Sequence, residues 1–295
     1  MKIGIGSYAL FWEFQDANPS PLSPEGMIDR AAHLGCEVFQ FCDDPRIEQC
    51  DEVALQRLRE RAEILGLELE LGTRGIDPEH LGRHLDIAEA LGTRLLRSMI
   101  PAEGITDGPD AAAEMLRGLL PRLEAAGITL ALETYEQVPT STLLQIIDAV
   151  GSPRVGVCLD PANCVAGLEH PQQVITSCAP RTVNLHVKDF AFARQAGWVG
   201  FVYSGAPLGE GLLDLDLELG AVYGAGAPSA GKRSADPGRA TTGTARRTPR
   251  AIVEHWLPWQ GDLETTLATE RAWTDRTLTA LRAWRAEHLP PSDLG

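Results

Sequence analysis

The chain has 295 residues, 44% of them hydrophobic, and a formal net charge of −15 at pH 7. This length suits one large domain or two ordinary ones, and it allows a core that needs no disulfide support. The negative charge argues against nonspecific binding to nucleic acid, and no apolar run is long enough to span a bilayer. The amino terminus lacks the features of a signal peptide, so we expect a cytoplasmic protein with reduced cysteines.

Short aliphatic or β-branched runs recur along the chain and predict strands. These runs are 2–6, 36–41, 67–72, 94–99, 128–133, 154–160, 182–189 and 251–256. Most begin about 30 residues after the previous one, which is the size of one βα unit. The stretches between them have helical periodicity, with start signals at Ser23-Pro24-Glu25 and Asp77-Pro78-Glu79. This pattern predicts a single (β/α)8 TIM barrel over 1–295, in preference to a doubly wound sheet with a glycine-rich phosphate loop.

An irregular insertion, 220–250, interrupts the repeat before the eighth strand, after what we expect to be a long loop over 190–213. The insertion is rich in Gly, Ala, Thr and Arg and nearly free of large aliphatic residues. Its composition predicts a flexible segment. A basic arm for phosphates is less favoured because no aromatic residues are interleaved for base stacking. A local shift of reading frame is a third explanation, since the seventh helix begins at Asp214 and then loses its periodicity.

Four acidic or histidine side chains lie at or near the ends of four consecutive predicted strands. They are Glu133, Asp160, His186 and Glu254. In a TIM barrel these strand ends meet at one rim, where three carboxylates would repel one another unless a cation held them. One imidazole with three carboxylates suits one divalent metal ion, with Mn²⁺ favoured and Mg²⁺, Co²⁺ or Zn²⁺ as alternatives.

Five short motifs give the chain a recognisable likeness. The sequence resembles the xylose-isomerase-like TIM-barrel superfamily of sugar and sugar-phosphate isomerases and epimerases in LALE (130–133), VCLDPAN (157–163), LHVKD (185–189), PLGEG (207–211) and IVEHW (252–256). The resemblance implies that Glu133, Asp160, His186 and Glu254 bind the metal. It also implies that Glu133 and Glu254 are the catalytic acid/base groups.

Two reactions fit such a site. The first is isomerisation or epimerisation of a small ketose, sugar phosphate or hydroxy-keto acid through a metal-stabilised enediolate, with one glutamate removing a proton and the other returning it. The second is a lyase reaction, because decarboxylation or dehydration of an oxo-sugar acid passes through a similar enediolate. The segment 188–211 resembles the branch of the superfamily that includes 3-oxo-isoapionate decarboxylases, which keeps this alternative open.

Further side chains are candidates for binding a small carbohydrate substrate: Lys188, Arg97, Arg194, Asn163, Trp12, Tyr8 and Glu210. Lys188 shares the inward strand face with His186 and could polarise a substrate oxygen or pair with an acid. An arginine fork suits a carboxylate or phosphate. Asn163 stands where the ketose 3-epimerases have a histidine, which is a departure from those enzymes.

Other classes of protein fit the sequence less well. A DNA repair nuclease from a distant branch would need more histidines at the strand ends and a basic face, and a non-catalytic sensor would not need all four ligands. We therefore expect neither a nucleic acid nor a membrane partner. The outer helices of such barrels commonly pair, and the last helix, with Trp273 and Trp284, would suit the interface of a homodimer or homotetramer.

Overall fold

The computed structural model describes residues 1–224 and 248–290. The strands in these ranges are β1 (Lys2–Gly6), β2 (Val38–Phe41), β3 (Glu68–Gly72), β4 (Leu95–Ser98), β5 (Thr129–Glu133), β6 (Val155–Leu159), β7 (Thr182–Val187), β8 (Phe190–Arg194), β9 (Phe201–Gly205) and β10 (Arg250–Val253). The α-helices are α1 (Phe11–Phe14), α2 (Pro24–His33), α3 (Pro45–Glu48), α4 (Glu52–Leu65), α5 (Pro78–Ala90), α6 (Pro109–Ala126), α7 (Thr140–Val150), α8 (Pro161–Ala166), α9 (Pro171–Cys178), α10 (Leu215–Tyr223) and α11 (Leu263–His288).

Eight of these strands close into a parallel barrel in the order β1, β10, β7, β6, β5, β4, β3, β2. Each predicted strand lies in this barrel, and helices follow the strands along the chain. The predicted (β/α)8 TIM barrel is therefore confirmed. The closing pair aligns β10 with β7, so that Ile252 lies beside His186 and Val253 beside Val187. This register brings Glu254, one residue beyond β10, to the same rim as His186.

The helix boundaries follow the capping signals in the sequence. Ser23 accepts a hydrogen bond from the backbone of Gly26 at the start of α2, and Asp77 accepts from Glu79 and His80 at the start of α5. Such side-chain acceptors satisfy amide groups that have no partner inside the helix. The predicted helix starts at both positions are confirmed.

The two faces of each barrel strand carry different chemistry. Leu185 and Val187 of β7 belong to the apolar core that also includes helix side chains. Their neighbours Asn184 and His186 alternate with them and so face the barrel interior, where both are fully buried. The same alternation on the other strands gives this barrel a polar interior, which concentrates charged and amide groups beneath the rim.

The long connection after β7 is partly ordered as a hairpin. The expectation of a loop over 190–213 is wrong for its first part, because β8 and β9 pair antiparallel from Phe190 with Gly205 to Arg194 with Phe201. The seventh barrel helix, α10, begins after Asp214 as expected and ends at Tyr223. Most of the predicted insertion, 225–247, lies outside the described residues.

The last helix, α11, packs its large aromatic residues inward. Trp284 is buried and contacts the rings of Tyr223 and His288, while Trp273 meets the ring of His255 edge to face. Trp284 is therefore part of the core of the single chain, and pairing of the last helix with a second copy stays a prediction. Among the residues that the structure describes, no helix has both the length and the apolarity needed to cross a bilayer.

Candidate metal centre and active site

The four strand-end side chains converge on one point at the carboxyl rim of the barrel. Nδ1 of His186 lies 3.5 Å from Oε1 of Glu133, 3.6 Å from Oδ2 of Asp160 and 3.5 Å from Oε2 of Glu254. All four side chains are almost completely buried. The structure thus brings together the four residues that the sequence placed at successive strand ends.

The donor atoms of this cluster fit a divalent cation. Ligand atoms of Asp160, His186 and Glu254 lie within 4.8 Å of one another, and so do those of Glu133, Cys158 and His186. Nδ1 of His186 is buried and has no hydrogen-bond partner among the described residues. A buried nitrogen without a hydrogen bond, facing three carboxylates, is what a metal ligand requires. Glu133, Asp160, His186 and Glu254 are therefore the residues that would hold the ion.

An amide network inside the barrel fixes the orientation of the histidine. Nε2 of His186 lies 2.8 Å from Oε1 of Gln40, and because that oxygen can only accept, Nε2 donates. The amide nitrogen of Gln40 donates to Oε2 of Glu70 at 3.1 Å and to Oδ1 of Asn184 at 3.2 Å, which sets the amide orientation. Nδ1 is consequently left facing the carboxylates. A second layer of this kind is typical of metal-binding histidines.

The charges of the cluster change the protonation equilibria of its members. Burial alone lowers the pKa of His186, but the acidic groups of Cys158, Glu254 and Glu133 raise it well above its ordinary value. Burial raises the pKa of Asp160, yet Lys188 and His186 together lower it to about 2. Asp160 is therefore a carboxylate at neutral pH, and a metal that binds His186 has to displace a proton from Nδ1.

Lys188 lies directly beside this cluster. Its ammonium nitrogen is 2.7 Å from Oδ2 of Asp160, 3.5 Å from Oε2 of Glu254 and 3.4 Å from Oδ1 of Asn163. It also lies over the ring of Trp256, 4.1 Å from the centroid. Burial alone lowers the pKa of Lys188, but the charges of Asp160 and Glu254 raise it above its ordinary value. The side chain is thus a buried ammonium at neutral pH.

Glu133 is held from both sides. Arg97, fully buried on β4, pairs through Nε with Oε2 of Glu133, and Nδ2 of Asn163 donates to Oε1 over 2.7 Å. Nη1 of Arg97 donates in addition to Oδ1 of Asp43. Both oxygens of Glu133 therefore have close positively polarised partners, one of them a guanidinium.

Glu254 has weaker partners. Its Oε1 lies 3.2 Å from the thiol of Cys42, and its Oε2 lies 3.5 Å from the ammonium of Lys188. Burial and the nearby Glu254 raise the pKa of the Cys42 thiol, which keeps it a neutral and weak hydrogen-bond donor. The two glutamates at the rim thus differ in how firmly their oxygens are held.

A polar group of side chains extends from Arg97 to the surface. Oδ2 of Asp43 accepts from the hydroxyl of Tyr8 at 3.2 Å and from Nε of Arg74 at 2.7 Å. Burial alone raises the pKa of Asp43, but Arg97 and Arg74 lower it below its ordinary value. Trp12 lies against Trp259, with its indole nitrogen donating to the carbonyl of Leu257. Tyr8 is thus linked through Asp43 and Arg97 to the cluster.

Besides Trp12, which packs on Trp259, two predicted substrate-binding residues have their contacts outside the cluster. Glu210 is exposed and pairs with Arg276 of α11. Arg194 is exposed on β8, where its guanidinium lies over the ring of Phe201 at 4.5 Å. Lys188, Arg97 and Asn163, in contrast, all contact metal-ligand candidates directly.

Several residues of the site were missed in the sequence. Gln40 interrupts the apolar run of β2, and a lone amide among buried residues is the signal that could have found it. Asp189, the last residue of the predicted strand 182–189, was not among the candidate site residues. Its carboxylate accepts four backbone hydrogen bonds, of 2.8 to 3.0 Å, from Phe190, Gly209, Gly211 and Leu213. Asp189 thereby anchors the segment 207–213 beside the site.

Fold and site together define a TIM barrel with a carboxylate-rich candidate metal centre at its carboxyl rim. Residues 28–222 match the xylose isomerase-like TIM barrel family, and the chain belongs to that family.

The chain is 46% identical over 281 residues to the 3-oxo-isoapionate decarboxylase of Pectobacterium atrosepticum, covering 95% of each chain. Solved structures with the same fold include a D-psicose 3-epimerase (TM-score 0.65, 15% identity, 97% and 98% of the two chains covered). They also include a xylose isomerase-like protein from Mycobacterium smegmatis in complex with magnesium (TM-score 0.62, 15% identity, 95% and 97% covered).

Proposed function

We propose that this protein is a divalent-metal-dependent decarboxylase of a 3-oxo sugar acid such as 3-oxo-isoapionate. The name and high identity of the Pectobacterium relative support the substrate class. The observation that carries the reaction type is the unequal environment of Glu133 and Glu254. We therefore favour decarboxylation, the alternative that the sequence left open, over isomerisation or epimerisation.

Epimerisation and decarboxylation make different demands on the acid/base groups. Epimerisation beside a carbonyl needs one group to remove a proton and another to return it on the opposite face. Decarboxylation of a 3-oxo acid needs no base, because breaking the carbon–carbon bond to the carboxylate itself supplies the electron pair of the enolate. One acid is then enough to protonate the carbon.

The environments of the two glutamates fit the needs of decarboxylation. Both oxygens of Glu133 are engaged, Oε2 by Arg97 and Oε1 by Asn163. With both oxygens already contacted by donors, Glu133 is the less suitable group to reach a carbon atom of the substrate. Glu254, whose closest donor is the weak Cys42 thiol, is the more loosely held of the two glutamates, and we assign proton transfer to it. One group for proton transfer is enough for a decarboxylase.

The proposed roles follow from these positions. Glu133, Asp160, His186 and Glu254 would hold the metal, a Lewis acid that stabilises negative charge on the ketone oxygen. The bond between the carboxylate carbon and its neighbour breaks, carbon dioxide leaves, and the electron pair stays with the enolate. A proton drawn from water then reaches that carbon through Glu254, the group that we assign to proton transfer. Trp256 and Tyr203, whose rings meet edge to face, help to shield this side of the site.

The test is to follow carbon dioxide and deuterium together. The Mn²⁺-loaded protein in D₂O should release one carbon dioxide for each 3-oxo-isoapionate consumed and place one deuterium in each product molecule. Removal of the metal with a chelator should abolish both. Deuterium exchange into neutral ketoses without release of carbon dioxide would instead identify an epimerase or isomerase and contradict the proposal.

A pair of variants tests the role of Glu254. We expect Glu254→Gln to lower kcat at least about 100-fold, because the amide cannot donate the proton. Glu124→Gln, the same change at an exposed site on α6, should keep the wild-type rate. Both variants should be checked for bound Mn²⁺. A rate like that of the wild type in Glu254→Gln would exclude Glu254 as the acid.

A further inference from the structure

Lys188 and the metal-ligand candidates face the same two oxygen atoms. Oδ2 of Asp160 lies 2.7 Å from Nζ of Lys188 and 3.6 Å from Nδ1 of His186. Oε2 of Glu254 lies 3.5 Å from each of those two nitrogens. A cation bound by Asp160, His186 and Glu254 would need the oxygens that already pair with the ammonium. The two positive charges therefore compete, in a buried site where screening by water is weak.

From this shared geometry we infer that Lys188 is an internal counter-cation of the metal centre. It neutralises Asp160 and Glu254 and lowers the affinity of the site for a divalent metal. When the metal takes these oxygens, the ammonium is released to bind an anionic group of the substrate. The second step rests on the proposed function, in which that group is the carboxylate of the 3-oxo acid.

The surroundings of Lys188 explain why the released ammonium would select an anion. The side chain is 3% exposed, so water cannot replace a lost carboxylate partner. The ring of Trp256 and Oδ1 of Asn163, which it also contacts, are neutral, and the charge of Glu133 acts on it without a direct ion pair. A buried charge without an ionic partner is costly, and an incoming carboxylate would restore the pair. A neutral ketose would not.

The first step is tested by titrating metal-stripped protein with Mn²⁺ in a calorimeter, in the absence of substrate. Removal of the competing charge in Lys188→Met should tighten Mn²⁺ binding about tenfold or more. Lys188→Arg keeps the positive charge and should bind Mn²⁺ much as the wild type does. Lys2→Met removes a charge paired with Glu68 at the opposite end of the barrel and should change nothing. Equal or weaker Mn²⁺ binding by Lys188→Met would overturn the inference.

Thermal unfolding covers the case in which metal-stripped Lys188→Met folds poorly. Three carboxylates without the ammonium should lower its Tm, and Mn²⁺ should then raise the Tm by more than it does in the wild type, because binding stabilises only the folded state. The same or a smaller rise in Tm would contradict the counter-cation role.

The second step is tested on the Mn²⁺-loaded proteins. Lys188→Met should raise the KM for 3-oxo-isoapionate about tenfold or more, since an ionic hydrogen bond to the substrate is lost. Its affinity for dihydroxyacetone, a neutral ketose used as probe, should stay unchanged. An unchanged KM for the acid would refute the second step. If neither protein released carbon dioxide, the proposed function would fail while the Mn²⁺ titration still decided the first step.

Discussion

The imidazole of His186 donates a hydrogen bond of 2.8 Å from Nε2 to Oε1 of Gln40, while its other nitrogen, Nδ1, faces the metal-ligand carboxylates. This single contact decides which ring nitrogen is available to a metal. Gln40 is fully buried and is itself oriented by Glu70 and Asn184. The ring therefore cannot rotate without breaking the network.

The first prediction concerns this contact. Gln40→Leu should weaken Mn²⁺ binding about 10- to 100-fold, because the histidine loses the acceptor that fixes its tautomer. Isothermal titration with Mn²⁺ measures the effect. Gln56→Leu is the matched control, since Gln56 is exposed on α4 and its side chain donates to Glu60, one turn along the same helix. Equal affinities in the two variants would mean that Gln40 does not orient the ligand.

Arg97 carries the second prediction. Its buried guanidinium joins Glu133 to Asp43, so Arg97→Met removes the positive charge that both carboxylates share. We expect the free energy of unfolding to fall by about 3–5 kcal/mol in urea denaturation.

Arg83→Met provides the comparison for Arg97. Arg83 forms an exposed pair with Glu79 on the surface of α5, and its loss should cost no more than about 1 kcal/mol. If the free energy of unfolding fell by the same small amount in both variants, the contacts of Arg97 with Glu133 and Asp43 would contribute little to stability.

Gly211 and Asp189 give the third prediction. A Cβ at Gly211 would overlap Oδ1 of Asp189 and the carbonyl oxygen of Phe190. Gly211→Ala should therefore displace the segment anchored by Asp189 and lower the free energy of unfolding by about 1–3 kcal/mol. Gly118→Ala on α6, where a Cβ meets no atom within 4 Å, should instead be neutral or stabilising. Thermal unfolding of the two variants measures the difference, and equal Tm values would contradict it.

The fourth prediction is a pH dependence that comes from Glu270. This residue accepts hydrogen bonds from the backbone of Trp12 at 2.8 Å and of Glu13 at 3.2 Å. Burial and the neighbouring Glu13 raise its pKa from 4.5 to about 8, although the backbone hydrogen bonds and Arg271 lower it. Between pH 4.5 and about pH 8, Glu270 is protonated in the folded protein but ionised in the unfolded chain, so the free energy of unfolding should fall as the pH rises.

Unfolding in urea at pH 5.5 and pH 8.5 measures this effect. From pH 5.5 to pH 8.5, the free energy of unfolding of the wild type should fall by on the order of 3 kcal/mol more than that of Glu270→Gln, because the glutamine has no proton to release. Glu264→Gln, an exposed change on the same helix, should keep the wild-type dependence. A Glu270→Gln variant with the same pH dependence as the wild type would show that Glu270 does not cause it.

The sequence allowed the barrel and the four strand-end residues to be predicted for one physical reason. Apolar runs at regular spacing give parallel strands, and the carboxyl ends of parallel strands in a closed barrel share one rim. Glu133 and Asp160 come at or just after strand ends, and the structure brings them within reach of His186. Their roles as ligands stay predictions that the Mn²⁺ experiments test.

The sequence did not predict the hairpin of β8 and β9, because its alternation of small and aromatic residues was read as a loop. It also pointed to Arg194 and Glu210, which are exposed and lie against Phe201 and Arg276, and their part in substrate binding stays a prediction. Charged residues near strand ends look alike in sequence, and only their side-chain directions separate them.

The sequence by itself determined the class of fold and which side chains meet at the rim, since both follow from local periodicity and strand order. Only the tertiary structure decided how unequal those side chains are. Arg97 comes from β4 and Asn163 from α8 to hold Glu133, whereas Glu254 meets the thiol of Cys42 beyond β2. These contacts join residues that are far apart in the chain, and their strength depends on distances and burial that no local pattern encodes.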